Sequence, residues 1–387
     1  MAQQQFVVIG AGIAGLATAV ALQRRGYDVT VLEGRSDTTT GAGISIWPNA
    51  LAALDHIGLG DAVREAGGRV TAGAMRWRDG TWLRRPSRKR IVDALGEPLV
   101  VVRRSALNDV LACALSSGTA KTGVMVEQVE LIPDGVRITL SDNTTRQAAA
   151  VVGADGTHSV VARYLNGPLG NRYVGYTAWR GIADTALDPD LAGETLAPGL
   201  ECGHVPLGPD HTYWFATERA PEGRVAPHGE LAYLQSKFAS WAEPLPALLA
   251  ATDPDVVLRN DLYDRDEARV WSKGPIVLVG DAAHPMRPHL GQGGCQGLED
   301  AAILADFVDA TDDPAEAFAR FEQFRKPRVR ALVRESATIG KIVNLRPAFL
   351  SAAATRATVL VPEAVLTRHM ATVSSRSAFT PPTTASA

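Results

Sequence analysis

The chain has 387 residues, 46% of them hydrophobic and 21% charged, with a formal net charge of −3. That balance supplies cores for two or three domains and excludes a disordered chain. The near-neutral charge gives no reason to expect a nucleic-acid or anionic-membrane partner, and no apolar run is long enough to span a bilayer.

The N-terminus, MAQQQFVVIG, has no basic region or cleavage site before its first strand, which predicts a cytoplasmic protein. After the strand FVVI comes GAGIAG, then the helical run LATAVALQRRG, then a second strand, DVTVLE, ending at Glu33. Strand, tight turn, helix and strand within about thirty residues match a dinucleotide-binding fingerprint. Gly10 permits the turn, Gly12 admits a pyrophosphate, and Gly15 lets helix and strand pack closely. Ala14 lies in the first turn of that helix, whose free N–H groups face the phosphates. Glu33 follows Gly15 by 18 residues, where a carboxylate accepts hydrogen bonds from a ribose. Arg35 either meets the adenine or phosphate side or lies in solvent. The fingerprint alone does not choose between FAD and NAD.

Further along, RRPSRKR at 84–90 holds five basic residues, read as a solvated loop or as a guide for the phosphates of a nicotinamide cofactor. Residues 151–159, VVGADGTHS, and 276–293, IVLVGDAAHPMRPHLGQG, each set an Asp at the end of an apolar strand. Between them, TAWRGIA and HTYWFAT alternate with turns and predict antiparallel sheet. Residues 230–250 are predicted helical around Pro244 and Pro246, and 314–345 helical with a break near Pro327. The three cysteines, Cys113, Cys202 and Cys295, form no CxxC pair, so no metal site or disulfide is expected. Cys295 is read as a small buried residue.

Three separated motifs in this order resemble the group A FAD-dependent monooxygenases of the p-hydroxybenzoate hydroxylase type, over roughly residues 5–345. The similarity is strongest to the branch with zeaxanthin epoxidase, urate hydroxylase and 3-hydroxybenzoate 6-hydroxylase, which also carries a GQGG(C) loop followed by ED. The resemblance implies an α/β fold: a Rossmann-like FAD-binding domain, an inserted, mainly antiparallel β-sheet substrate domain, and C-terminal helices. The expected FAD domain is discontinuous, at 1–70, 99–170 and 270–345. The substrate domain is 71–98 and 171–269, a C-terminal helix spans 346–372, and 373–387 is expected to be disordered.

The resemblance also implies site roles. Asp281 would accept hydrogen bonds from the ribityl chain. The loop Pro288–Gly294 would run along the isoalloxazine, with backbone N–H groups of Gly291, Gly293 and Gly294 at its N1–C2=O edge, which becomes negative on reduction. Asp155 and Gly156 match the DG pair linked to FAD and NAD(P)H. The family's usual Arg after that motif is Ala162 here, with Arg163 next. Arg104 stands where an FAD-contacting Arg is usual. The implied reaction consumes NADH or NADPH and O2. It inserts one oxygen, through a flavin C4a-hydroperoxide, into a small aromatic or apolar natural-product-like substrate by hydroxylation or epoxidation. The implied protein is a monomer or homodimer without a metal or transmembrane segment.

Two other readings remain at this point: a flavin-dependent reductase or dehydrogenase of the same fold, and a non-enzymatic FAD-binding protein. Candidate pocket residues are Trp47, Trp179, Arg180, Tyr213 and Phe215. Alternation sets Tyr213 and Phe215 on one face and Trp214 on the other, without saying which faces inward. Arg180 and Tyr213 are expected on the substrate side. His289 is expected to assist proton transfer or to cap the flavin loop, and His284 to be structural.

Overall fold

The computed structural model describes residues 5–36 and 42–382. Two sheets organise it. The first has six strands in the order Ser272–Lys273, Ile276–Leu278, Ala150–Gly153, Gln5–Ile9, Asp28–Glu33 and Ala120–Thr122. All neighbours are parallel except the antiparallel edge at Ser272–Lys273. Its central strands are apolar throughout because both faces are covered: Phe6 to Ile9, Ala150 to Val152 and Ile276 to Leu278 are all buried. The helices Ile13–Gln23 and Gly293–Asp309 pack together on it. A Cβ on Gly297 would lie 3.0 Å from that of Ala14, so a glycine there allows close approach.

The second sheet has seven strands: Leu258–Arg265, Asn171–Ala183, His211–Glu218, Leu200–Leu207, Gly193–Ala197, Ala74–Trp77 and Trp82–Arg84. It is antiparallel except where Gly193–Ala197 pairs with Ala74–Trp77. A three-stranded sheet, Gly43–Ile46, Leu99–Arg103 and Gly68–Val70, sits against it.

Register decides which side chains share a face. Arg180 pairs with Phe215 and Ile182 with Tyr213, while Trp179 pairs with Ala216 and Gly181 with Trp214. Trp179, Trp214 and Cys202 pack with Phe238, Trp241 and Leu248, on the face covered by the helices Glu230–Phe238 and Leu245–Ala250. Tyr213, Phe215, Ile182 and Val205 pack with Ala42, Trp47, Val70 and Val101, on the face toward the three-stranded sheet.

Four expectations are corrected. The helix Pro314–Val343 runs unbroken through Pro327. Proline there removes one intrahelical bond, but buried Phe321 and Arg325 before it, and Val329 and Leu332 after it, hold both halves in line. The C-terminal segment forms two helices, Ala348–Ala357 and Glu363–Ser374. Residues 373–382 are ordered, because Ser374 accepts a hydrogen bond from Gln292, Arg376 pairs with Asp55 at 2.7 Å and with Glu97, and Phe379 meets the His56 ring. Residues 383–387 lie outside the described residues. Finally, the basic run 84–90 is not a plain loop: it ends a strand and opens the helix Arg88–Leu95, capped by Ser87.

Candidate active site

The first turn is shaped by its neighbours. Gly10 has φ +104°, and a Cβ there would fall 2.4 Å from the Ala154 carbonyl oxygen. A Cβ on Gly15 would fall 2.0 Å from the Gly10 carbonyl oxygen, yet one on Gly12 would meet nothing within 4 Å. Gly12 therefore borders open space at the mouth of the helix Ile13–Gln23, whose N-terminus has no side-chain cap. Its N–H groups and positive dipole end are free for an anion. Glu33 is fixed at the rim, accepting hydrogen bonds from the Ala11 N–H at 2.8 Å and the Arg35 N–H at 2.9 Å. The Arg35 guanidinium is largely exposed, 3.6 Å from Glu33. Arg104 is exposed at the start of its helix, and its N–H donates to Ala42.

Asp155 sits beside Gly10 but is turned to its own chain. It accepts from the Ser159 hydroxyl at 2.5 Å and the Val160 N–H at 2.7 Å, capping the helix Val160–Asn166. Burial raises its pKa, and those hydrogen bonds oppose the rise. Ala162 is fully buried, whereas Arg163 is exposed and donates to the His158 carbonyl.

The glycine loop is held from below by buried charge. Asp300 accepts from the Gly280 N–H at 2.9 Å, from His284 at 2.6 Å and from Arg325 at 2.8 Å. Burial works against the Asp300 carboxylate, but His284 and Arg325 hold its pKa down at about 2. Glu299 accepts from Arg325 at 2.7 Å and from Asn49 at 2.7 Å. Asp281 follows directly and is exposed. Pro288 opens a single turn, Gly291 takes φ +62°, and the helix Gly293–Asp309 begins without a side-chain cap. Gly294 faces Ile44, 2.9 Å from where a Cβ would sit. Burial pushes the Cys295 thiol up to about 12, so it is inert. Two uncapped helix mouths, an open flank at Gly12, a ribose-height carboxylate and an exposed Asp281 fit an extended dinucleotide ending in a flat ring.

Opposite the loop stands the inward face of the seven-stranded sheet. Phe215, Tyr213 and Arg180 belong to it, with Trp47 at its border. Arg180 donates to Asn260 at 3.2 Å. Burial raises the Tyr213 pKa, and Arg180 pulls the other way. Trp179 does not belong there: it is buried on the opposite face and donates to Glu230 at 2.7 Å. His289 does reach the sheet, but both ring nitrogens are engaged. Nε2 meets the Tyr176 hydroxyl at 2.8 Å and Nδ1 meets Glu201 at 3.2 Å, and the side chain is 1% exposed. It clasps the loop to the sheet.

Sequence reasoning missed Tyr176, Glu194 and Glu201. Glu194 pairs with Gly203 and Glu201 with Leu196, so both acids share the face of Phe215. Glu194 is half-buried, and its carboxyl has no hydrogen-bond partner among the described residues. Burial, aided by the charge of Glu201, pushes its pKa up to about 8. The available signal was parity: Tyr176 stands four residues before Arg180.

This geometry defines a class: a flavoprotein with a Rossmann-like domain, whose glycine loop faces a separate β-sheet. The FAD binding domain family matches residues 3–202 and 256–336. The chain is 36% identical over 346 residues to the aurachin C monooxygenase/isomerase of Stigmatella aurantiaca, covering 89% of this chain and 90% of that one. It is 33% identical over 355 residues to the FAD-dependent urate hydroxylase of Klebsiella pneumoniae, covering 89% and 92%. The solved Klebsiella pneumoniae HpxO, complexed with FAD and uric acid, superposes with a TM-score of 0.89 at 29% identity over 96% of each chain. The chain belongs to this family of FAD-dependent monooxygenases, enzymes that use FAD, NAD(P)H and O2.

Proposed function

We propose that this enzyme oxygenates a small planar aromatic or heteroaromatic ring carrying an N–H or O–H donor, seated between Phe215 and the loop 288–294. Bound FAD would supply the redox chemistry, taking electrons from NAD(P)H and activating O2. Gly10, Gly12, Ala14, Gly15 and Glu33 would hold its adenosine and pyrophosphate, with Arg35 and Arg104 at the rim. Asp281 would hold the ribityl chain. Pro288, Gly291, Gly293 and Gly294 would hold the ring, and Asp155 would shape the turn beside Gly10. The chain's own contribution on the substrate side is orientation and exclusion of water. A Cβ on Gly203 would fall 2.1 Å from the Phe215 ring, so that ring lies flat along the sheet as a platform. Arg180 and Tyr213 flank one side of it; Glu194 and Glu201 flank the other.

The observation that carries this reading is the unpartnered carboxyl of Glu194. Neutral below a pH of about 8, it both donates and accepts a hydrogen bond. That suits an uncharged donor–acceptor ring edge better than a carboxylate. The relatives' named substrates, urate and 3-amino-4-hydroxybenzoate, are small planar rings and support the size class.

The test follows NADH and NADPH oxidation and O2 uptake across a panel of neutral hydroxy- and oxo-heteroaromatics and aromatic carboxylates. Stimulation by a neutral compound, with a product one oxygen heavier, is expected. Stimulation by carboxylates alone would move substrate recognition to Arg180.

A further inference from the structure

The first C-terminal helix is amphipathic in the wrong sense for water. The helix Ala348–Ala357 buries Ser351 and Thr355, one turn apart, and exposes Phe349 at 68% and Leu350 at 42%. The polar side is used inward: Ser351 donates to the Val343 carbonyl at 2.6 Å and accepts from the Gly199 N–H at 3.3 Å. The following turn exposes Leu360 at 84%, and the next helix exposes Val365 at 55%. A soluble helix ordinarily turns its apolar stripe to the core. Outward apolar side chains on successive elements offer a docking face.

The basic run 84–90, which the FAD site does not use, lies at this surface. Arg84 donates to the Thr358 and Val361 carbonyls, and Arg90 pairs with Glu363 at 2.9 Å. Partly exposed Trp82 packs beside the same turn, with the Arg85 guanidinium 4.8 Å from its ring centre. Residues 84–95 and 341–372 together hold nine basic residues and two acidic ones, in a chain whose net charge is −3. Arg85 and Arg88 share a single further carboxylate, Asp190. Exposed Lys341, Arg346, Arg356 and Arg368 lie along the helices themselves.

We propose that this face docks on an anionic lipid surface: Phe349, Leu350, Leu360 and Val365 enter the headgroup–acyl boundary, ringed by arginine and lysine, with Trp82 at the interface. Apolar burial and attraction to anionic headgroups act together in such surface binding. A second copy of the chain fits this face poorly, because a two-fold contact would set one basic cluster against its copy. The binding is peripheral. Among the described residues no single helix is long and apolar enough to cross a membrane, and the pair Ala348–Leu360 and Glu363–Ser374 is bent by 99°.

The test is flotation of the full-length, FAD-loaded enzyme with vesicles of phosphatidylcholine alone and of equimolar phosphatidylcholine and phosphatidylglycerol. Sedimentation velocity without lipid runs in parallel. Co-flotation with the anionic vesicles only is expected, weakened by salt and by about tenfold or more in Phe349→Ser/Leu360→Ser and in Arg85→Glu/Lys89→Glu. These side chains lie outside the FAD site, so flavin absorbance and thermal unfolding should match the parent and report that the variants fold. Absence of flotation, or flotation that neither pair of substitutions weakens, would overturn the proposal. So would a lipid-free dimer that Leu360→Ser dissociates, which would give the face to a second copy.

Discussion

Gly10 and Gly12, separated only by Ala11 in the same turn, do different work. Gly10 has a positive φ and a carbonyl where its Cβ would be, so alanine there strains the fold; Gly12 has neither. Gly12→Ala should leave apoprotein stability within about 0.5 kcal/mol of the parent while weakening FAD binding by about tenfold or more, read by denaturation and flavin titration. Glu194 gives a pH signature. Its folded pKa of about 8 stands above its ordinary value of 4.5, so the folded protein binds the extra proton between those values. Stability should therefore fall as pH rises through that window and level off above it. Glu194→Gln should remove this slope and raise Tm by about 2 °C at the alkaline end, with no gain in acid. The same variant should flatten the rise in substrate KM expected above pH 8.

At the scale of elements, the glycine loop is only as rigid as the charges beneath it. Arg325 bridges Glu299 and Asp300, and Asp300 in turn holds Gly280 and His284. Removing one member of a buried cluster leaves an uncompensated charge, so Arg325→Met should cost about 3–5 kcal/mol in a denaturant melt and loosen FAD. The loop itself was legible in the sequence, because a strand ending in Asp and a run of glycines are local signals. What lies under and across it was not. Alternation separates Tyr213 and Phe215 from Trp214, but only the register between strands and the helices packed behind Trp214 say which face turns inward. The same limit misplaced Trp179, one residue out of phase with Arg180. His289 looked like a free base beside the flavin loop because Tyr176 and Glu201, its partners, are 113 and 88 residues away.

Over the whole molecule, averages hide what topology concentrates. A net charge of −3 argued against an anionic surface as partner, but the basic residues at 84–90 meet the C-terminal helices only after folding. The C-terminal composition shift suggested disorder from 373, whereas Arg376 reaches back to Asp55 and Glu97. Truncation after Ala371 should lower Tm by about 4 °C or more, checked by thermal unfolding of the shortened chain. The parallel sheet carries a further consequence. Its strands come from 5–9, 28–33, 120–122, 150–153 and 272–278, and the chain leaves to build the other sheet before returning. A cofactor held as proposed by Gly12, Glu33 and Asp281 would bridge chain ends that are otherwise joined by long excursions. FAD is then a thermodynamic clamp as well as a reagent: ligand that binds only the assembled state shifts folding by mass action. Free FAD at a hundredfold excess over its Kd should add about 2.7 kcal/mol to unfolding. Enzyme made in flavin-starved cells should accordingly be degraded faster than the same chain made with flavin in supply.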